Sequence, residues 1–175
     1  MRLFIAIDFN KLKDYFVELQ KHLPKNAKLS LTKSFHITLK FLGEVQPDKV
    51  EEIINKLKTI KLESFTVFLD SIGVFPSESY IRVVWVGLKP EDKVLELQKQ
   101  IDEALSKLFK QEKDFKSHIT LARVKYLEDK KQFIEQLKKI KVENKKIEIK
   151  DFRLIKSTLT PKGPIYEDLM VFSSD

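Results

Sequence analysis

A chain of 175 residues that is 42% hydrophobic and 34% charged is long enough to bury a core and is read as a single domain. The absence of Cys excludes a disulfide framework and a thiolate metal site, and four Gly and six Pro argue against low complexity or long flexible linkers. The net charge of +7 favours polyanionic partners such as RNA, although Lys-rich helix faces can equally be no more than solvated.

The run Arg2–Asp8 reads as a buried first strand. Its apolar stretch stops at Asp8, too short for the core of a signal peptide or for a membrane span. Together with the lack of Cys, this sets the expectation of a cytoplasmic protein. Abundant Lys and Glu with two Met lean toward a thermophilic source. A helical stretch follows from Leu12 to His22, and His22, at its end, is expected on the surface. His36-Ile-Thr-Leu39 lies in an apolar, strand-like run. Pro47-Asp48 then opens a helix that carries Val50, Ile53, Ile54 and Leu57. Phe65–Asp70 alternates as a strand. After a turn near Pro76–Ser79, Arg82–Leu88 reads as another strand, with Trp85 expected in the core. Val94, Leu97, Ile101, Ala104, Leu105 and Leu108 keep a helical period. His118-Ile-Thr-Leu121 starts a second motif strand, and Phe133, Ile134, Leu137 and Ile140 mark a fourth helix. Ile147–Asp151 alternates again, and a last strand, about Ile165 to Phe172, follows the turn at Pro161–Pro164.

The chain has three histidines, and two of them open the same tetrapeptide. The surrounding order, strand–helix–motif strand–helix–strand, is used twice, over approximately residues 1–75 and 80–157, with a closing strand at 164–173. The expected architecture is one bilobal α+β domain over 1–175. Its two lobes would be related by a pseudo-two-fold axis. Each would be a mainly antiparallel sheet with helices on its outer face, and the two would enclose a central groove.

In a strand, residues i and i+2 share a face, so His36 points with Thr38 and His118 with Thr120. Two-fold symmetry brings both pairs to one cleft. An imidazole with an ordinary pKa of about 6.5 serves as either base or acid near neutrality. One of each suits in-line displacement at phosphorus, and threonine hydroxyls can donate to the non-bridging oxygens. A pair of satisfied strand histidines is the bland alternative, and the duplication with Thr speaks against it. The fifth residue after each His differs: Phe41 in one copy, Arg123 in the other. Arg123 can clamp a phosphate with its planar fork, and Phe41 is a candidate for stacking on a base. Strict alternation turns both away from the histidines, so either a bulge or strand end re-aims them or their role is structural. Lys40 has the parity of His36, which leaves it either approaching the groove or simply exposed.

Two His-x-Thr motifs in duplicated lobes resemble the 2H phosphoesterase superfamily. The strings Phe35-His-Ile-Thr-Leu-Lys-Phe-Leu-Gly-Glu-Val45, Arg82-Val-Val-Trp-Val-Gly-Leu88, His118-Ile-Thr-Leu-Ala-Arg-Val124 and Ser157-Thr-Leu-Thr-Pro-Lys-Gly-Pro-Ile-Tyr166 resemble its 2′-5′ RNA ligase / RNA 2′,3′-cyclic phosphodiesterase branch. The resemblance implies metal-independent opening of an RNA-terminal 2′,3′-cyclic phosphate to a 2′-phosphate. It implies His36 as proton donor, His118 as proton acceptor, and Thr38, Thr120 and Arg123 as phosphate binders. The near-symmetry of the motif leaves the order of acid and base open. No cofactor, metal or membrane is expected. The expected partner is RNA with a 2′,3′-cyclic phosphate end, tRNA fragments included, met by a monomer. Two alternatives stand beside this: a 2′-5′ RNA ligase running the reaction backwards on tRNA halves, and a non-catalytic RNA-binding module. A metal-dependent hydrolase fits poorly, since two histidines without Cys or a nearby carboxylate motif make a weak ligand set.

Overall fold

The computed structural model describes residues 1–174. Its first strand, β1 (Arg2–Asp8), is apolar and buried on both faces from Leu3 to Ile7, as a central strand must be. The chain continues through α1 (Lys13–Lys21), β2 (Ala27–Leu31), β3 (His36–Glu44), α2 (Val50–Leu57), β4 (Phe65–Ser77), β5 (Tyr80–Lys89) and α3 (Asp92–Ala104). It ends with β6 (Ile119–Leu127), α4 (Lys130–Lys138), β7 (Lys146–Ile149), β8 (Asp151–Thr160) and β9 (Gly163–Ser173). Two antiparallel sheets result, one ordered β3-β1-β8-β9 and the other β2-β6-β5-β4-β7. The expected α+β fold with pseudo-two-fold lobes is the observed one.

The sheets do not simply follow the two halves of the sequence. In both, the order is motif strand, first strand, third strand: β3-β1-β8 in one and β6-β5-β4 in the other. Yet β4 comes from the first half and lies in the second sheet, while β8 comes from the second half and lies in the first. A hairpin explains the crossing. Ser77 pairs with Tyr80 around Glu78-Ser79, and so short a turn makes β4 and β5 sheet neighbours by construction. The exchanged strands tie the lobes together through the backbone.

The helices pack through apolar stripes: Phe16 and Leu19 of α1, Ile53 and Leu57 of α2, Val94, Leu97 and Ile101 of α3, Phe133 and Leu137 of α4. Asp129 caps α4 by accepting from the Gln132 amide at 3.1 Å. Two buried polar side chains add cross-links. Gln20 Nε2 donates to the carbonyls of Thr32 (2.7 Å) and Leu121 (2.8 Å), pinning α1 to β6. Lys40 of β3 forms an ion pair with Asp102 of α3 and donates to the Lys110 carbonyl at 2.7 Å. The second oxygen of Asp102 accepts from the Glu112 amide at 2.8 Å, so neither charge is left bare.

Candidate active site

The site begins with two matching irregularities. Along β3, pairing with β1 steps from Ala6↔Thr38 to Ile5↔Lys40, so Leu39 is an extra residue. Along β6, pairing with β5 steps from Trp85↔Thr120 to Val84↔Ala122, so Leu121 is extra in the same place. A bulge shifts the side-chain parity of everything after it. Phe41 therefore pairs with Phe4, and Arg123 with Val83, on the faces already carrying Thr38 and Thr120. Of the two outcomes open in the sequence, the bulge is the one observed. The same shift turns Lys40 inward. It is 2% exposed, neither in the groove nor at the surface, and Asp102 supplies the counter-charge that permits this.

His36 packs against two rings, Phe4 at 5.1 Å and Tyr166 edge-on at 5.5 Å. His118 packs edge-on against Phe75 at 4.8 Å and lies 6.5 Å from Trp85. Trp85 was expected in the core, but its pairing with Thr120 places it on the groove face. Gly73 makes room for it: a Cβ there would sit 2.2 Å from the indole Cζ2. Thr38 and Thr120 are half-buried beside their histidines, Arg123 is exposed, and Phe41 is 65% exposed with its ring 6.1 Å from Phe4. His22 is exposed at the end of α1, as expected.

Burial pushes the His36 imidazole down to a pKa of about 4. The Asp8 carboxylate, opposite it in the register, pulls upward, and His118 presses it further down. Burial also lowers His118. Its Nδ1–H donates to the Lys116 carbonyl at 2.9 Å, which counters that shift, while the Arg123 guanidinium adds to it. Because a carbonyl only accepts, this hydrogen bond puts the proton on Nδ1 and leaves the Nε2 lone pair available. Burial raises the Tyr166 phenol, opposed by Arg123 and Arg2. Charges from one lobe are thus felt by side chains of the other, which is what a shared groove requires. The motif strands β3 and β6 themselves approach each other there.

Sequence reasoning missed Asp8, Phe4, Phe75 and Tyr166 as groove residues. Asp8 was open to discovery, because an antiparallel partner for β3 that starts at Arg2 ends opposite His36. Tyr166 and Phe75 arrive from distant strands and carry no local signal.

Duplicated antiparallel sheets with twin His–Thr faces on bulged strands define a two-lobed protein of the phosphoesterase class. The family described as LigT like Phosphoesterase matches this sequence over residues 7–85 and again over 86–166, and the chain belongs to that family. It is 42% identical over 171 residues to a Methanocaldococcus jannaschii protein named RNA 2′,3′-cyclic phosphodiesterase, covering 95% of this chain and 97% of that one. It is 38% identical over 177 residues to an Archaeoglobus fulgidus protein of the same name, covering 98% and 99%. Among solved structures, Escherichia coli LigT complexed with 3′-AMP superposes with a TM-score of 0.79 at 25% identity, over 99% of this chain and 97% of that one. The thermophilic leaning of the composition fits the sources of the relatives. Among the described residues no helix is long and apolar enough to cross a membrane.

Proposed function

We propose that this protein hydrolyses the 2′,3′-cyclic phosphate at the end of an RNA to a 2′-phosphate, without a metal, using His36 as acid and His118 as base. The observation that carries the order is the hydrogen bond from His118 Nδ1–H to the Lys116 carbonyl, which leaves Nε2 ready to accept. His118 Nε2 takes a proton from water as the water oxygen bonds to phosphorus. The P–O3′ bond breaks, and His36 delivers its proton to the departing 3′-oxygen. Burial holds His36 near 4 in the free protein, so the proton it delivers is taken up as substrate binds, with the Asp8 carboxylate and the phosphate charge both favouring the imidazolium. Arg123 disfavours an imidazolium at His118 and binds the phosphate oxygens, with hydroxyl donors from Thr38 and Thr120.

The relatives named RNA 2′,3′-cyclic phosphodiesterase support the reaction. The 3′-AMP complex of the E. coli structure supports a nucleotide in the groove, with Phe41 free to stack on its base. Among the described residues no three His, Cys, Asp or Glu side chains gather as a metal ion would need, which favours acid–base chemistry by the two histidines. Both histidines come from one chain, so a monomer holds the whole site, and RNA fragments such as broken tRNA in a reducing cytoplasm are the substrates it suits. The test is hydrolysis of a 2′,3′-cyclic-phosphate-ended RNA in EDTA, with the product assigned by phosphorus NMR. A 2′-phosphate at an unchanged rate is expected. A 3′-phosphate, or a rate that returns only with added metal, overturns the proposal.

A further inference from the structure

Arginine is scarce here, and its placement is selective. Only four of the 33 basic residues are Arg. Arg2 and Arg153 lie on the groove face of the first sheet, in register with Ser157 and Ala6. Arg123 lies on that of the second, and Arg82 lines the same pocket. Arg153 is neutralised by Asp151 (3.2 Å) and Asp168 (2.9 Å). Among the described residues Arg2 of the first sheet has no carboxylate partner, and on the second sheet Arg82, Arg123, Lys28 and Lys125 form a group without one.

The free cations of the second sheet gather beyond the histidines, toward its β2 edge. A pocket of about 410 Å³ there is lined by Ser30, Arg82, Arg123, Val124 and Lys125, three cations and no carboxylate. Arg82 is held in place by Tyr80: its guanidinium lies 5.7 Å over the ring, and Nη1 donates to the phenol oxygen at 3.0 Å. A register shift near Lys28 makes Lys125 an extra residue and sets Tyr126 opposite Lys28. Tyr126 is 61% exposed, an aromatic next to an unpaired cation. Lys125 lies two residues past Arg123, about 7 Å along the strand.

A substrate that reacts at its 3′ end must leave the groove in the 5′ direction. On the first sheet Arg153 is held between two carboxylates, Asp151 and Asp168, a cluster that is net negative and offers no free cation to a phosphate. On the second the route passes cations interleaved with exposed tyrosines, the pattern that tracks single-stranded nucleic acid. We propose that Arg82, Lys125 and Tyr126 form an exit track for single-stranded RNA, holding phosphates and a base on the 5′ side of the reacting nucleotide. The preferred substrate is then an oligonucleotide rather than a cyclic mononucleotide. This rests on the proposed hydrolysis, which supplies the 3′ end.

The experiment compares kcat/KM for a 2′,3′-cyclic mononucleotide and for a five-nucleotide RNA with the same cyclic end, using wild type and Arg82→Gln/Lys125→Gln. Wild type is expected to favour the oligonucleotide by about 10-fold or more, the scale of one base stack with two phosphate contacts. The double variant keeps the Tyr126 stack but loses both phosphate contacts, so it lowers that preference by about twofold or more while leaving the mononucleotide rate unchanged. Equal use of both substrates by wild type overturns the track, and so does an equal loss on both substrates in the variant. If neither substrate is hydrolysed, the proposed reaction fails and the track is judged separately, by fluorescence anisotropy with a 3′-phosphorylated five-nucleotide RNA. Binding that weakens in the variant and with added salt upholds it. Binding that is absent in wild type, or unchanged in the variant, overturns it and leaves an acidic protein as the occupant to seek.

Discussion

Replacing Lys40 by Met tests whether the buried ion pair holds the first motif strand to α3. Lys40 is 2% exposed and Asp102 5% exposed. Lys40→Met leaves the Asp102 carboxylate in the interior with only the Glu112 amide donating to it. Breaking a buried pair from one side costs about 3–5 kcal/mol. The surviving hydrogen bond and the apolar fill of Met put the expected loss near the lower end, about 3 kcal/mol. For a chain of this length that is a fall in Tm of roughly 6–12 °C. Lys40→Met/Asp102→Leu removes the stranded charge. The carbonyl of Lys110 and the amide of Glu112 belong to exposed residues, where water can serve them. The double variant is therefore expected within about 2 kcal/mol of wild type. Urea unfolding, followed by circular dichroism and by the fluorescence of the single Trp, measures all three proteins. A Lys40→Met loss below about 1 kcal/mol, or a double variant no more stable than the single, refutes the reasoning.

Gly73→Ala drives a Cβ into the Trp85 indole. It is expected to cost about 1–3 kcal/mol, to shift the Trp emission, and to lower kcat/KM roughly 10-fold or more by moving the wall of His118. Unchanged emission and activity together would show that the indole does not rest on Gly73. Stability should also depend on pH. His36 titrates near 4 when folded against an ordinary 6.5, so below pH 6.5 unfolding takes up a proton. That contribution to stability is full above about 6.5 and is lost as the pH falls toward about 4. From pH 7 to 5 the loss attributable to His36 is roughly 2 kcal/mol. His36→Gln should flatten the urea midpoint by that share, and an identical pH dependence in both proteins contradicts it.

The His–Thr faces were legible because i and i+2 parity needs only the local sequence. The bulges were not legible in the same way, because Phe41 and Ala122 are themselves apolar and blur the period. In the fold two adjacent residues are buried in each strand, Leu39 with Lys40 and Leu121 with Ala122. That adjacency marks the extra residue of each bulge, and it sets the facing of Phe41, Arg123 and Lys40. What stayed hidden depends on distant partners. Nothing near Lys40 names Asp102, and nothing near Trp85 names Gly73. The edge strand β2, Ala-Lys-Leu-Ser-Leu, is short and half exposed, so its alternation is faint. Most of β8 was missed because Arg153, Lys156 and Ser157 interrupt its apolar run. The exchange of β4 and β8 between sheets leaves no trace in a repeat, since a repeat records which elements recur and not which sheet receives them.

The order of acid and base is the centre of the account, and a sulfur substitution tests it most directly. In a cyclic-phosphate-ended RNA whose bridging 3′-oxygen is replaced by sulfur, the leaving thiolate needs no proton. His36→Ala and His118→Ala are each expected to lose on the order of 10²-fold or more on the oxygen substrate. On the sulfur substrate, His36→Ala should recover to within about 10-fold of wild type while His118→Ala stays impaired. Recovery of His118→Ala instead would reverse the assignment. Full activity of either variant on the oxygen substrate would contradict two-histidine catalysis altogether.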